Sequence, residues 1–323
     1  MKKSKAKYLT LAGVVLSAGL LLGACGNSTS SSKVYNYVYA SDPSSLNYLL
    51  ENRATTGDVA TNLVDGLMEN DQYGNYIPSL AEDWTVSQDG LTYTYKLRKD
   101  AKWYTSDGEE YADVKAQDFV AGLKYAADNK SETLYLVQSS IKGLDDYVNG
   151  KTKDFSSVGV KAVDDHTVQY TLNEPESFWN SKTTMGILYP VNEEFLKSKG
   201  DKFAQAADPT SLLYNGPFLL KSITSKSSIE FAKNPNYWDK DNVHVSDVKL
   251  TYFDGQDQGK PAEQFAKGAL SAARLAPTSA TFSKVEKEFK DNIVYTPQDS
   301  SSFLVGVNID RQAYNHTAKS SDA

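Results

Sequence analysis

The chain has 323 residues, and its 41 acidic side chains outnumber its 34 basic ones, which gives a formal net charge of −7 at neutral pH. An acidic chain argues against a nucleic-acid-binding protein and against charge-driven attachment to anionic lipid, because both need a basic face. The hydrophobic fraction of 40% and the single cysteine indicate a packed core without internal disulfides, and the length is enough for two domains.

The N-terminus has the layout of a secretory signal. Four lysines within the first seven residues precede an apolar run from Leu9 to Leu22, which is shorter than the about 20 residues of a membrane-spanning helix. Leu-Gly-Ala-Cys at residues 22–25 resembles a bacterial lipobox, in which a palmitate-containing lipid is attached to the cysteine thiol. We therefore expect a signal peptide over residues 1–24, lipid attachment at Cys25 and a polar tether over residues 25–32. The alternative is an ordinary secreted protein with an unpaired cysteine.

Hydrophobic patterns predict the elements that follow. Val34–Tyr39 is rich in β-branched and aromatic residues, as is typical of a strand, and Asp42-Pro43 ends it. Between Thr56 and Glu69 the apolar residues recur at helical spacing, and a second helix is predicted from about Val114. Between these helices, alternation of apolar and polar residues predicts one hairpin, formed by Trp84–Val86 and Leu91–Leu97.

The second half of the chain predicts further strands and one helix. Pro261 opens the helix, since proline is favoured in a first helical turn. The predicted strands form two hairpins and two single strands: Val158–Val163 with Thr167–Leu172, Gly216–Ile223 with Ser228–Lys233, Val248–Phe253, and Phe303–Ile309. This order predicts a mixed α/β (α+β) fold with predominantly antiparallel strand pairs.

Catalytic and metal-binding motifs are missing from the sequence. The three histidines, His166, His244 and His316, are far apart, and His166 is most simply a solvated turn residue. Gly255–Lys260 resembles a phosphate-binding loop but is one residue short, and Pro261 replaces the required serine or threonine. No nucleophile-elbow motif G-x-S-x-G occurs. We therefore expect no enzyme, no cofactor and no metal site.

Four segments of the chain carry a family pattern. They are Asn62–Leu67 with Ile77–Trp84, Leu91–Trp103 followed by Asp107-Gly108 and Asp118-Phe119, Gly159–Pro175, and Asn215–Phe218 with Asn234–Trp238. In this order they resemble the extracytoplasmic oligopeptide-binding lipoproteins of ABC peptide importers, the Opp/Ali type of family 5 solute-binding protein. Most of these motifs hold the scaffold in that family and do not touch ligand.

The resemblance implies a periplasmic-binding-protein-like type II lobe with mixed sheets. We expect a discontinuous domain I over residues 33–60 and 190–308, and a domain II over residues 61–189. Family members are longer and close two hinged lobes around the ligand. Residues 309–323 are therefore expected to begin a second lobe that is largely missing. A fragment, a disrupted gene product and a short paralogue all remain open.

The same resemblance implies a monomeric, lipid-anchored receptor at the extracytoplasmic face of the bacterial cell membrane. It would bind extended oligopeptides and deliver them to an ABC importer permease and, through it, to the ATPase subunits. The ligand-facing residues are expected at the end of the first strand, at one tyrosine placed by the family pattern, and along the last strand: Tyr39, Ala40, Ser41, Tyr135, Phe303, Val305 and Asn308. The alternatives are a receptor for a nickel chelate or an oligosaccharide, and a surface interaction protein that no longer supports transport.

Overall fold

The computed structural model of the chain describes residues 33–206, 208–257, 259–275 and 279–295. The chain divides after Leu275 into two compact units. The described part of the second unit holds one α-helix, Phe282–Glu288, and one 3₁₀ turn, Lys290–Asn292. None of the described helices is long and apolar enough to span a membrane.

The described residues of the first unit contain twelve strands and six α-helices. The strands are β1 (Val34–Tyr39), β2 (Met68–Asn70), β3 (Tyr76–Pro78), β4 (Ala81–Val86), β5 (Thr92–Leu97), β6 (Lys102–Tyr104), β7 (Glu110–Asp113), β8 (Val160–Asp164), β9 (Thr167–Thr171), β10 (Phe218–Thr224), β11 (Ser228–Lys233) and β12 (Asp247–Tyr252). The helices are α1 (Ala54–Ala60), α2 (Ala116–Asp128), α3 (Leu144–Val148), α4 (Trp179–Lys182), α5 (Glu193–Lys199) and α6 (Lys260–Ala266), and the helix of the second unit is α7. Short 3₁₀ turns lie at Leu134–Leu136, Phe155–Ser157, Gly186–Leu188, Gly200–Lys202, Pro209–Ser211 and Lys240–Asn242.

The first sheet places the first strand beside the last one of this unit. Its strand order is β1-β12-β11-β10. β1 runs parallel to β12, with Val34 opposite Asp247 and Tyr39 opposite Tyr252. The other two pairs are antiparallel hairpin neighbours. Since no other described strand pairs with β1, its second side is a sheet edge.

The second sheet is antiparallel throughout, with strand order β4-β5-β9-β8. Alternate residues of β5, namely Tyr93, Tyr95 and Leu97, are buried on one face, as the hairpin pattern predicts. Tyr95 meets Tyr170 of β9 edge to face, with 6.3 Å between ring centroids. Helix α2 packs against β8 and β9. The buried side chains of both sheets form one contiguous core.

The predicted mixed α/β architecture is confirmed, but one helix prediction is wrong. The helical spacing predicts a helix up to Glu69, whereas α1 ends at Ala60. The carbonyl of Leu63 accepts N–H bonds from Asn215 and Gly216, so a tertiary contact takes the acceptor that a continuing helix would use. The predicted last strand over residues 303–309 lies outside the described residues, and the domain boundaries stay a prediction.

The tight packing of α2 generates a prediction at its glycine. A Cβ atom on Gly122 would lie 2.5 Å from the carbonyl oxygen of Tyr189, whereas one on Gly57 in α1 would meet nothing within 4 Å. We expect Gly122→Ala to lower the free energy of unfolding by about 1–3 kcal/mol, because backbone cannot move aside cheaply. Gly57→Ala should raise it by about 0.5–1 kcal/mol through helix propensity. Urea denaturation measures both, and equal effects at the two sites would contradict the packing argument.

Candidate functional site

The outer edge of β1 offers unpaired backbone groups. In the parallel pairing the backbone N–H and C=O groups of Tyr39 point toward β12, and those of the even-numbered residues of β1 point to the other side. One of these, Asn36, donates its N–H to Ser271 Oγ at 2.9 Å and accepts from the Ser271 N–H at 2.8 Å. Val38 and Ala40 face the same outer side, and their backbone groups have no hydrogen-bond partner among the described residues. Within the described part of the chain, the end of this strand is therefore open to an added strand.

The side chain of Tyr39 belongs to the scaffold at this strand end. Its hydroxyl donates to Asp42 Oδ1 at 2.9 Å, and its ring meets Tyr252 edge to face. Burial and the Asp42 carboxylate raise the pKa of Tyr39 to about 12. Asp42 also accepts from the Ser225 hydroxyl at 2.6 Å and from the Lys226 N–H at 3.1 Å. These bonds fix the turn after β1, where the predicted site residues Ala40 and Ser41 are both exposed.

Tyr135 lies in a 3₁₀ turn next to a groove. Its side chain is 64% exposed, and the nearby residues Thr133 and Leu136 line a cavity of about 300 Å³. The other walls come from residues between 48 and 61 and from residues 184–189. Aromatic and aliphatic side chains, including Tyr48, Ile187 and Tyr189, form much of this surface, which we call the apolar groove. The sequence did not predict the groove, because its walls come from three separate segments.

Two charged residues line the apolar groove. The Glu51 carboxylate accepts hydrogen bonds from the hydroxyls of Ser44, at 2.8 Å, and Thr56, at 3.1 Å. The Arg53 side chain is 64% exposed, and its contact with Glu51 is long, at 3.9 Å. The guanidinium N–H groups are thus available to a ligand that enters the groove. In the sequence, Glu51 and Arg53 are marked only by their place in a short polar run directly before an apolar helix pattern.

A second cavity, of about 250 Å³, is lined by polar side chains around Asp65. We call it the polar cavity; its walls include Asp65, Glu69, Ser79 and Thr184. Thr61, Thr184 and Tyr189 also line the apolar groove, so these three residues contribute to both cavities.

Asp65 is buried in a network of neutral donors. Its N–H donates to Asn215 Oδ1 at 2.7 Å, and its Oδ2 accepts from Tyr237 Oη at 2.8 Å and Trp238 Nε1 at 3.1 Å. Burial raises the pKa of the Asp65 carboxyl from its ordinary 3.8 to about 7, against the lowering effect of these bonds. Asn215, Tyr237 and Trp238, which belong to the family motifs, therefore all bond to Asp65 and support the fold.

Several predicted residues cannot be placed. Cys25, Phe303, Val305 and Asn308 lie outside the described residues. Of the others, Tyr39, Ala40 and Ser41 share the end of β1, and Tyr135 lies in a separate turn. Their ligand-contacting role stays a prediction.

Comparison with known proteins decides the family. Residues 75–318 match the model for bacterial extracellular solute-binding proteins, family 5. The chain belongs to this family. Oligopeptide-binding protein SarA of Streptococcus gordonii is 86% identical over 328 residues, which cover 99% of this chain and 50% of that protein. The chain spans about half the length of the curated relatives that it matches.

Solved structures agree with the family 5 assignment. The chain is similar to Listeria monocytogenes OppA bound to peptide, with a TM-score of 0.70 and 30% identity over 81% of this chain and 49% of that one. It is also similar to the substrate-binding domain of an oligopeptide ABC transporter from Bacillus anthracis, with a TM-score of 0.71 and 26% identity over 81% and 48%. The predicted type II lobe is thereby confirmed, and family 5 proteins are extracytoplasmic solute-binding proteins.

The raised pKa of Asp65 predicts a pH-dependent stability. The folded state keeps a proton that the unfolded chain releases between pH 3.8 and about 7. Its contribution is therefore complete below that range and falls as pH rises through about 7, by up to about 1.4 kcal/mol per pH unit. Asp65→Asn stays neutral and can accept from Tyr237 and Trp238. We expect the stability of this variant relative to the native chain to increase from pH 5 to pH 8 in thermal denaturation.

Asp118 is the other group to control for in that experiment. Burial raises its pKa to about 6, although the Trp103 indole donates to it at 2.8 Å. It titrates in both proteins, so the difference between their curves isolates Asp65. Parallel curves would mean that Asp65 titrates normally.

Proposed function

We propose that this chain binds extended oligopeptides, as part of a receptor that delivers them to an ABC importer. The open backbone edge at Val38–Ala40 is the observation that carries the proposal, because an extended peptide can add to such an edge as another strand. Backbone pairing gives affinity without selecting side chains, which suits a receptor for many peptides. The name of SarA, an oligopeptide-binding protein, and the peptide bound to Listeria OppA support the same ligand class.

The apolar groove is the proposed place for a peptide side chain. Its volume of about 300 Å³ and its aromatic and aliphatic walls favour an apolar side chain. Arg53 and Glu51 line the same groove and can bind polar groups of the ligand. The exposed ring of Tyr135 can pack against the same ligand, since a phenol offers an apolar face and a polar tip. Waters between ligand and walls would adapt the groove to different side chains.

The remaining parts of the receptor follow from the family resemblance. We place domain I in residues 33–60 and 190–308 and domain II in residues 61–189, and Phe303, Val305 and Asn308 in the ligand cleft. Closure of a second lobe over the ligand by a hinge motion would exclude water from the peptide and strengthen its hydrogen bonds. Delivery then passes the peptide to the permease and its ATPase subunits.

We further propose that the receptor is a monomer anchored at the membrane by a lipid on Cys25. The lipobox at residues 22–25 and the lysine-rich start before the apolar run support this anchor. A receptor held next to its permease raises the local concentration of captured peptide. The alternatives, a nickel-chelate or oligosaccharide receptor and a non-transporting interaction protein, are not favoured, since the names of the similar proteins SarA and AliA describe oligopeptide binding.

Peptide capture through β1 can be tested with a proline. The Ala40 N–H has no partner among the described residues, so Ala40→Pro breaks no hydrogen bond to any of them but removes a donor for the ligand. We expect the native chain to release a mixture of short peptides on acid treatment, detected by mass spectrometry. The proline variant should bind the same peptides about threefold to tenfold more weakly in calorimetry, as expected for one lost hydrogen bond.

Ala40→Ser is the matched control, because it keeps the N–H and should bind like the native chain. Circular dichroism checks that all three proteins fold alike. If nickel chelates or oligosaccharides bind and peptides do not, the proposed ligand class is wrong. If peptides bind equally to both variants, the ligand class survives but pairing at Ala40 is wrong.

The anchor has its own test. Cys25→Ala removes the only thiol of the chain and hence the proposed site of lipid attachment. We expect the variant to leave the membrane fraction of bacterial cells, whereas the native chain stays in it, with immunoblotting of both fractions as the readout. Unchanged membrane retention of Cys25→Ala would contradict the anchor.

A further inference from the structure

The outer edge of β1 is closed at one position by the chain itself. Asn36 donates its N–H to Ser271 Oγ at 2.9 Å and accepts the Ser271 N–H at 2.8 Å, so both of its outward backbone groups are bonded. The distance of 2.8 Å between the Ser271 nitrogen and the Asn36 oxygen is that of a hydrogen bond between neighbouring strands. The Ser271 backbone therefore occupies the place that an added strand would take beside Asn36.

The segment that carries Ser271 is held in position. Helix α6 ends in a glycine turn, in which Gly268 has a φ of +71° and the Ala269 N–H donates to the Gln264 carbonyl at 2.9 Å. The next residue, Leu270, is buried. Ser271 follows directly, so a capped helix end and a buried side chain fix its place against β1.

The backbone groups left unpaired on this edge form a short window. Outward-facing residues alternate along β1, so Val38 and Ala40 follow Asn36 on the same side, about 7 Å apart along an extended chain. Beyond Ala40 the chain leaves the sheet at the turn that Asp42 fixes. We call Val38 and Ala40 the pairing window; Ser271 bounds it on one side and the turn at Asp42 on the other.

We propose that Ser271 fixes the register of a bound peptide on β1, which rests on the proposed function of peptide binding. An added strand can pair with the pairing window but cannot continue past it to Asn36. Backbone pairing alone does not select a register, since every peptide residue except proline offers the same N–H and C=O groups. A closed position removes the slipped registers, so the peptide ends or bends away beside Ser271.

The closure at Asn36 can be measured in the free protein. Ser271→Ala removes the acceptor of the Asn36 N–H and keeps the backbone bond. We expect the Asn36 amide of the full chain to exchange with solvent about tenfold faster or more in this variant, by hydrogen exchange resolved for single amides by NMR. The control Ser198→Ala removes an exposed hydroxyl of α5 that donates to the Phe195 carbonyl at 2.7 Å, and it should leave the exchange of Asn36 unchanged.

Peptide binding then tests the register. The probes are short alanine peptides with one phenylalanine, and the same peptides lengthened by alanine at either end. In the native chain they should slow the exchange of the Ala40 amide and leave that of Asn36 unchanged. Ser271→Pro removes both hydrogen bonds to Asn36, because proline has neither an N–H nor a hydroxyl.

In calorimetry, we expect lengthening the peptide at one end to raise the affinity of Ser271→Pro about threefold to tenfold more than that of the native chain. The reason is that the longer peptide gains a hydrogen bond at Asn36. Circular dichroism checks that the variants fold like the native chain, and the exchange pattern of the native chain does not depend on them.

The outcomes separate the register from the proposed function. Equal exchange of the Asn36 amide in the native chain and in Ser271→Ala would overturn the closure. Peptides that slow the exchange of Asn36 in the native chain, or that gain equally from lengthening in the native chain and in Ser271→Pro, would overturn the fixed register while peptide binding stands. If no peptide binds any of these proteins, the proposed function is wrong and the register with it.

Discussion

The buried carboxyl group of Asp65 joins segments that are far apart in the chain. Its backbone N–H is held by Asn215, just before β10, and its side chain by Tyr237 and Trp238, between β11 and β12. Asp65 itself lies between α1 and β2, so these three bonds fix the start of the central segment against the first sheet. Burial raises the pKa of the carboxyl, and the hydrogen bonds from these neutral donors lower it only in part, because they supply no counter-charge.

Besides this network, the described residues contain two kinds of feature that could bind a ligand: unpaired backbone groups and cavities. The backbone groups of Val38 and Ala40 at the edge of β1 have no hydrogen-bond partner in the described part of the chain, whereas those of Asn36 bond to Ser271. The cavities offer different chemistry: aromatic and aliphatic walls in the apolar groove, and carboxylates with a hydroxyl in the polar cavity. An extended ligand suits the edge and the apolar groove. The proposed function therefore depends on one physical idea, namely that unpaired backbone groups held in place favour a complementary partner.

Local patterns predicted the elements whose stability is local. β1, the two predicted hairpins around β5 and β9, and helix α2 appear where alternation or helical spacing places them. The α1 prediction was wrong where a distant segment intervened: Leu63 keeps its burial, but Asn215 and Gly216 take its carbonyl. A hydrophobic period records which side chains are buried and does not record which backbone groups are bonded elsewhere.

The sequence by itself determined the mixed α/β class, the family and the candidate strand end at Tyr39, Ala40 and Ser41, because those depend on neighbouring residues and on contiguous motifs. Only the tertiary structure decided that β1 pairs with β12, that its other edge has no strand partner among the described residues, and that the motif residues converge on Asp65. It also decided both cavities, whose walls come from segments separated by long stretches of chain. The physical reason is that pairing, burial and pKa depend on which distant groups become neighbours, and no local period specifies them.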